Sequence, residues 1–166
     1  YTYNSLKLTG DLVLRNVDVT VGYKWADSFL TDYNLTIEET ASLTAPNLFV
    51  WRTEYGKVHS KDQTIIVDGV LTTSNISLAA PYHNHKSTGD FNFYFNNPNS
   101  SAVFLFGAQK EASGPNVYEG NINIIIKQAK TFSWSVTNAG ADITGSLQVL
   151  VDDSVEFPYS VKTNFE

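Results

Sequence analysis

The 166-residue chain contains no cysteine and no methionine. The first absence excludes disulfide scaffolds, thiol catalysis and the usual structural zinc sites. Basic residues are also scarce. Eleven Lys and Arg, with Arg15 and Arg52 the only arginines, face seventeen Asp and Glu, for a formal charge of −6. Binding to nucleic acid or to an anionic membrane surface needs concentrated Lys and Arg, so neither partner is expected. No segment approaches the roughly 20 apolar residues of a spanning helix; the longest apolar stretches, such as 102–108, are strand-sized. The chain starts at Tyr1 without an initiator methionine, as a chain does once an export signal has been removed. An exported, extracellular protein is the expectation.

What is present is aromatic and β-branched. Ten Phe, nine Tyr and three Trp sit in a chain that is 42% hydrophobic, which excludes disorder, and the length suits one domain. Period-two alternation dominates. Phe91, Phe93 and Phe95 alternate with polar or half-polar neighbours, as do Ile122, Ile124 and Ile126. Phe132, Trp134 and Val136 alternate with Thr131, Ser133 and Ser135, and Leu147, Val149 and Val151 share one parity. Val155, Phe157, Tyr159 and Val161 repeat the pattern, with Pro158 on the opposite parity, as at an edge or bulge. Asn96-Asn97-Pro98-Asn99-Ser100 reads as a loop. No window shows a helical period and no internal repeat registers. Turn clusters recur roughly every 8–12 residues, which predicts an all-β fold, an antiparallel immunoglobulin-like β-sandwich of about ten strands with an extended N-terminal strand.

The N-terminal segment stands apart. Leu6, Leu8, Leu12 and Leu14 share even parity, interrupted by Gly10; from Val17 to Trp25 the apolar parity is odd, so Arg15-Asn16 marks a bulge or tight turn. The division expected is a strand at 1–14 and a single sandwich domain at 15–166. Such a strand can pair within its own domain or fill a groove in a neighbouring copy. Burying four leucines contributes about 6–12 kcal/mol at roughly 1.5–3 kcal/mol each, comparable with the stability of a whole domain. Head-to-tail use of one strand and one groove gives an open polymer.

Three glycosylation sequons occur, at Asn34, Asn75 and Asn99. Asn99 is the best placed, in the proline loop; Asn34 and Asn75 are expected to point outward from strands. Sites for chemistry are few. His83 and His85 flank Asn84, with His59 distant in sequence, and read as solvated loop residues rather than metal ligands. Asp152, Asp153 and Glu156 lack the glycine-bearing loop of a calcium site. No nucleophile elbow, phosphate loop, dinucleotide fingerprint or metalloprotease helix is present, so neither catalysis nor a cofactor is expected. Trp25, Trp51 and Trp134, or Tyr55, Tyr82 and Tyr94, could form a sugar-stacking platform. Trp51 and Trp134 read as packing residues, and Trp25 is the least committed.

With its terminus Tyr1-Thr2-Tyr3, the row Leu6, Leu8, Leu12, Leu14 and the three sequons, the chain resembles archaeal extracellular filament subunits of the thread type. Those are exported, glycosylated β-sandwich proteins that polymerise by donating an N-terminal strand. The resemblance implies a structural subunit of a cell-surface filament whose partners are copies of itself and N-linked glycans, with the four leucines as the donor interface. The alternative is a carbohydrate-binding or adhesive β-sandwich module with the N-terminal strand paired in cis.

Overall fold

The computed structural model describes residues 4–25, 27–51, 58–78, 86–106, 116–136 and 141–155. Every strand pair among them is parallel, and each strand pairs with one about 19–31 residues away rather than with its neighbour in sequence. The fold is a parallel β-solenoid. This corrects the antiparallel immunoglobulin-like β-sandwich: the alternation is real, but the turns between strands are corners of a coil, not hairpins.

Two faces run the length of the coil. On the first, Ser5–Lys7, Ser28–Thr31, Asn47–Val50 and Asn75–Leu78 stack in order, followed by the second half of Phe91–Phe106 and then of Ile122–Val136. On the second, Leu12–Leu14, Leu35–Ile37, Gln63–Val67, the first halves of the same two long strands, and Leu147–Val151 stack. A third face, Asp18–Thr20, Ser42–Thr44 and Val70–Thr72, closes the early coils. A small fourth sheet of Val58–His59, Lys86–Ser87, Asn116–Tyr118 and Ala141–Ile143 enters in the later ones. The expected loop at 96–100 lies inside the strand Phe91–Phe106, where the register with Ile122–Val136 shifts twice as the chain turns a corner. The parity change after Leu14 is also a corner, with Asn16 in the left-handed region at φ 52°.

Stacking makes each inward position a column. Leu12, Leu35, Ile65, Phe93, Ile124 and Val149 form one such column, with spacings of 23, 30, 28, 31 and 25 residues. Phe29, Leu48, Ile76 and Phe104 form another. The two columns meet inside the coil, where Phe93 and Phe104 pack edge to face at 4.7 Å. The middle members of both columns are fully buried in one continuous core.

Polar columns hold the corners. The Asp62 carboxylate accepts the backbone N–H of Asp90 at 2.8 Å, and Asp90 accepts that of Asn121 at 2.8 Å. Asn121 in turn accepts from Ser146, through its N–H at 3.2 Å and its hydroxyl at 2.7 Å. Lower in the coil, Asp11 accepts the N–H of Asn34 at 3.0 Å, and Asn34 that of Thr64 at 2.7 Å. Each short side chain thus satisfies a corner N–H in the coil above, a group that the sheets leave unpaired. Glycines accompany this column: a Cβ on Gly120 would overlap the carbonyl of Gly89, and one on Gly145 that of Gly120. The Gly-Asp, Gly-Asn and Gly-Ser pairs at 89–90, 120–121 and 145–146, each followed by an alternating strand, are the internal repeat that the sequence reading did not register. Connections of unequal length between the sheets keep it from showing a fixed period.

Candidate functional site

Among the described residues, the most exposed apolar surface lies in the first coil. Ser5–Lys7 and Leu12–Leu14 each pair, among the described residues, on one side only, with Ser28–Thr31 and Leu35–Ile37 of the same chain, and Asp18–Thr20 pairs only with Ser42–Thr44. Leu12 N–H donates to Asn34 at 3.0 Å, and Leu14 C=O accepts from Glu38 at 3.1 Å. By the alternation of parallel pairing, the N–H and C=O of Val13 then face away from the second coil, as a free strand edge. Between the ends of the first and third faces lies a mouth of about 440 Å³, lined by Asn4, Ser5, Leu6, Thr20 and Val21.

The four leucines of the sequence reading form part of this first coil. Leu14 is buried and joins the core; Leu8 and Leu12 are half-buried against it; Leu6 is 41% exposed at the mouth. Val13, Val17, Tyr23 and Trp25 are exposed as well, so five of the nine large exposed apolar side chains among the described residues belong to residues 4–25.

Asp27 sets the position of this coil. Its buried carboxylate accepts the N–H of Asn4 at 2.7 Å and of Lys24 at 2.8 Å, tying both ends of the first coil to the start of the second. These bonds, that of Asn4 foremost, hold the carboxyl below its ordinary pKa against the opposing effect of burial. Gly22 is required beside it, since a Cβ there would overlap the carboxylate. On the neighbouring corner Arg15 grips Glu38 with two bonds of 2.6 Å, which lowers the pKa of Glu38 and raises that of Arg15.

In the last described strand, Leu147–Val151, burial is also lower. Leu147, Val149 and Val151 are half-buried, where Ile122, Ile124 and Ile126 one coil below are buried. Leu150 points outward and is 51% exposed. Asp152 caps the turn by accepting from Ser154 and lies below its ordinary pKa for that reason.

The structure separates the three sequons. Asn99 is exposed, with its backbone N–H bonded to Asn97. Asn34 is exposed but works in the corner column, its amide nitrogen 3.3 Å from Asp11. Asn75 is half-buried and donates its amide to Asn47 at 2.9 Å.

A second polar group, which sequence reasoning did not single out, lies within the coil. Trp51, at φ 54°, stacks on Phe91 and Tyr118 at 5.5 Å each and meets the edge of His59 at 6.3 Å. Its backbone N–H donates to Oε1 of the buried Gln63, whose Nε2 donates to Tyr33 C=O at 2.6 Å. His59 Nε2 and Asp32 Oδ1 are buried without a hydrogen-bond partner among the described residues, and burial lowers the pKa of His59. The only signals in the sequence were Trp51 and His59 themselves. Of the other candidate aromatics, Trp134 packs on Phe106 and Phe132, Tyr94 is partly exposed, and Tyr55 and Tyr82 lie outside the described residues. So do His83, His85, Glu156 and 1–3. Among the described residues no three His, Asp or Glu gather as a metal site, and no helix is long and apolar enough to cross a membrane.

Comparison of the chain with protein-family models, with curated proteins and with solved structures finds no match to any of them.

Proposed function

We propose that the protein is a structural subunit of an extracellular filament and that it assembles through the open N-terminal end of its solenoid. The observation that carries this reading is the gradient of burial along the core. Columns that are fully buried in the middle of the coil become half-exposed at its first turn, beside a free strand edge and a mouth where Leu6 and Val21 sit among Asn4, Ser5 and Thr20. Apolar surface and unpaired backbone of this kind are a template for another chain. Assembly by this route needs no exchange of strands: the leucines stay in their own coil and serve as the platform on which a neighbour sits. A filament of copies joined this way calls for no catalytic group.

Val13→Pro tests the reading. The substitution removes an N–H from the free edge while leaving the bonds of Leu12 and Leu14 to the second coil in place. Native full-length material should form fibres in negative-stain micrographs, and the variant should remain monomeric with an unchanged circular dichroism spectrum. Fibres from Val13→Pro as abundant as from the parent would reject the N-terminal end as the assembly surface.

A second reading, an adhesive or carbohydrate-binding module, is favoured by Tyr23 and Trp25, which are 82% and 76% exposed two residues apart. A monomeric protein that binds a glycan array and loses binding in Trp25→Ala would select it.

A further inference from the structure

The reading above leaves open what sits on the N-terminal end. We infer that it is the C-terminal coil of a second copy, continuing the solenoid in parallel so that Val149 and Val151 lie beneath Leu12 and Leu14. The inference rests on the proposed assembly and adds its partner surface and register.

Three independent features of the two ends agree. The first is geometric. Val149 and Leu12 are the opposite ends of one inward column, and the side chains at both ends are half-buried while those between are buried. A coil placed on either end in the existing register meets an apolar side chain at each of these positions. The second is polar. The corner columns work upward, with a side-chain oxygen below accepting an N–H above. Among the described residues Ser146 is the last member of the column that passes through Asn121, and Gln148 is the last in the column that begins at Asp11. Among the described residues the outer edges of the first and last strands of this face each carry N–H and C=O groups in alternation, as Val13 does, so the two edges can pair as the strands within the coil do. The third is charge. Residues 4–25 carry three bases and two acids, whereas residues 141–155 carry three acids and no base. Head-to-tail contact brings unlike ends together, and head-to-head or tail-to-tail contact does not. One surface meeting a different one on the next copy builds an open fibre, not a closed dimer.

The absence of cysteine permits a direct test. Val13 and Leu150 are both exposed and occupy one outward column. In the inferred register their Cα atoms sit about 4.8 Å apart, the spacing of neighbouring strands, which is within disulfide reach. Full-length protein carrying Val13→Cys and Leu150→Cys, oxidised after assembly, should give a ladder of reducible covalent oligomers on a denaturing gel. The single variants, mixed, should stop at a heterodimer. Val58→Cys with Leu150→Cys, which places one thiol on the side of the coil, should give no ladder. Fibres without a ladder would overturn the inferred register and partner while leaving assembly intact. Dimers from Val13→Cys alone would show head-to-head contact and overturn it too. A chain that stays monomeric at every concentration and gives no ladder would overturn both this inference and the function on which it rests.

Discussion

The carboxylate of Asp27 accepts the backbone N–H of Asn4 across 2.7 Å, and through it the first coil is fastened to the second. Asp27→Ala removes the acceptor of both Asn4 and Lys24. Hydrogen–deuterium exchange should then quicken across residues 4–25 and stay slow across the columns of Phe93 and Phe104. Equal protection of the first coil in variant and parent would show that the apolar contacts hold it alone.

The same bond gives a pH dependence. Asp27, Glu38 and Asp152 have lowered carboxyl pKa values, so their stabilisation is complete above the ordinary carboxylate range near pH 4 and is lost as pH falls through their folded values. His59 is also lowered, by burial of its neutral ring. Its contribution is complete above about pH 6.5 and declines as pH falls toward its folded value. Tm measured from pH 8 to 3 should fall in two stages, and His59→Gln should remove the upper one. A single decline confined to pH below about 4 would contradict the burial of His59.

Gly120 stacks on Gly89 with no room for a side chain. Gly120→Ala should lower stability by about 1–3 kcal/mol, as overpacking does. Gly10→Ala, where nothing lies within 4 Å, should stay within about 0.5 kcal/mol. Urea midpoints of the two variants compare them directly, and equal effects would dismiss the glycine column.

Phe104 is fully buried between two coils and against Phe93. Phe104→Ala should cost about 3–5 kcal/mol, read from the same unfolding curves. A loss below about 1 kcal/mol would mean that the column is not the core.

Of the three sequons, Asn99 is the one whose side chain stands clear of a corner column. In a host that attaches N-linked glycans, intact mass should show an addition that Asn99→Gln removes. Asn75→Gln should lower Tm with or without glycan, because the Asn75 amide bridges to Asn47. A glycan retained in Asn99→Gln would place modification at Asn34 or Asn75.

Much of the strand content was legible. Phe91, Phe93 and Phe95, and likewise Ile122, Ile124 and Ile126, occupy the inward positions that their parity requires. The leucine row was legible as apolar and terminal, and the corner at Arg15-Asn16 as a break. Trp51 was rightly read as a packing residue, while Trp25 is exposed. The pairing was not legible. Alternation fixes which side chains share a face, but the same pattern serves a strand that pairs with its neighbour in sequence and one that pairs a full coil away. The clue that separates them, a short polar residue after glycine at each corner, is spread over unequal intervals at 89–90, 120–121 and 145–146.

By itself, the sequence determined an all-strand chain without disulfides, rich in aromatic side chains and apolar at its N-terminus. Those properties depend on composition and on a period of two, which are local. Only the tertiary structure decided that the strands run parallel, that Asp11, Asn34 and Thr64 lie above one another, and that the strands of the first leucines pair with the second coil. These depend on which backbone groups find partners roughly 19–31 residues along the chain. In a solenoid the answer repeats at every coil.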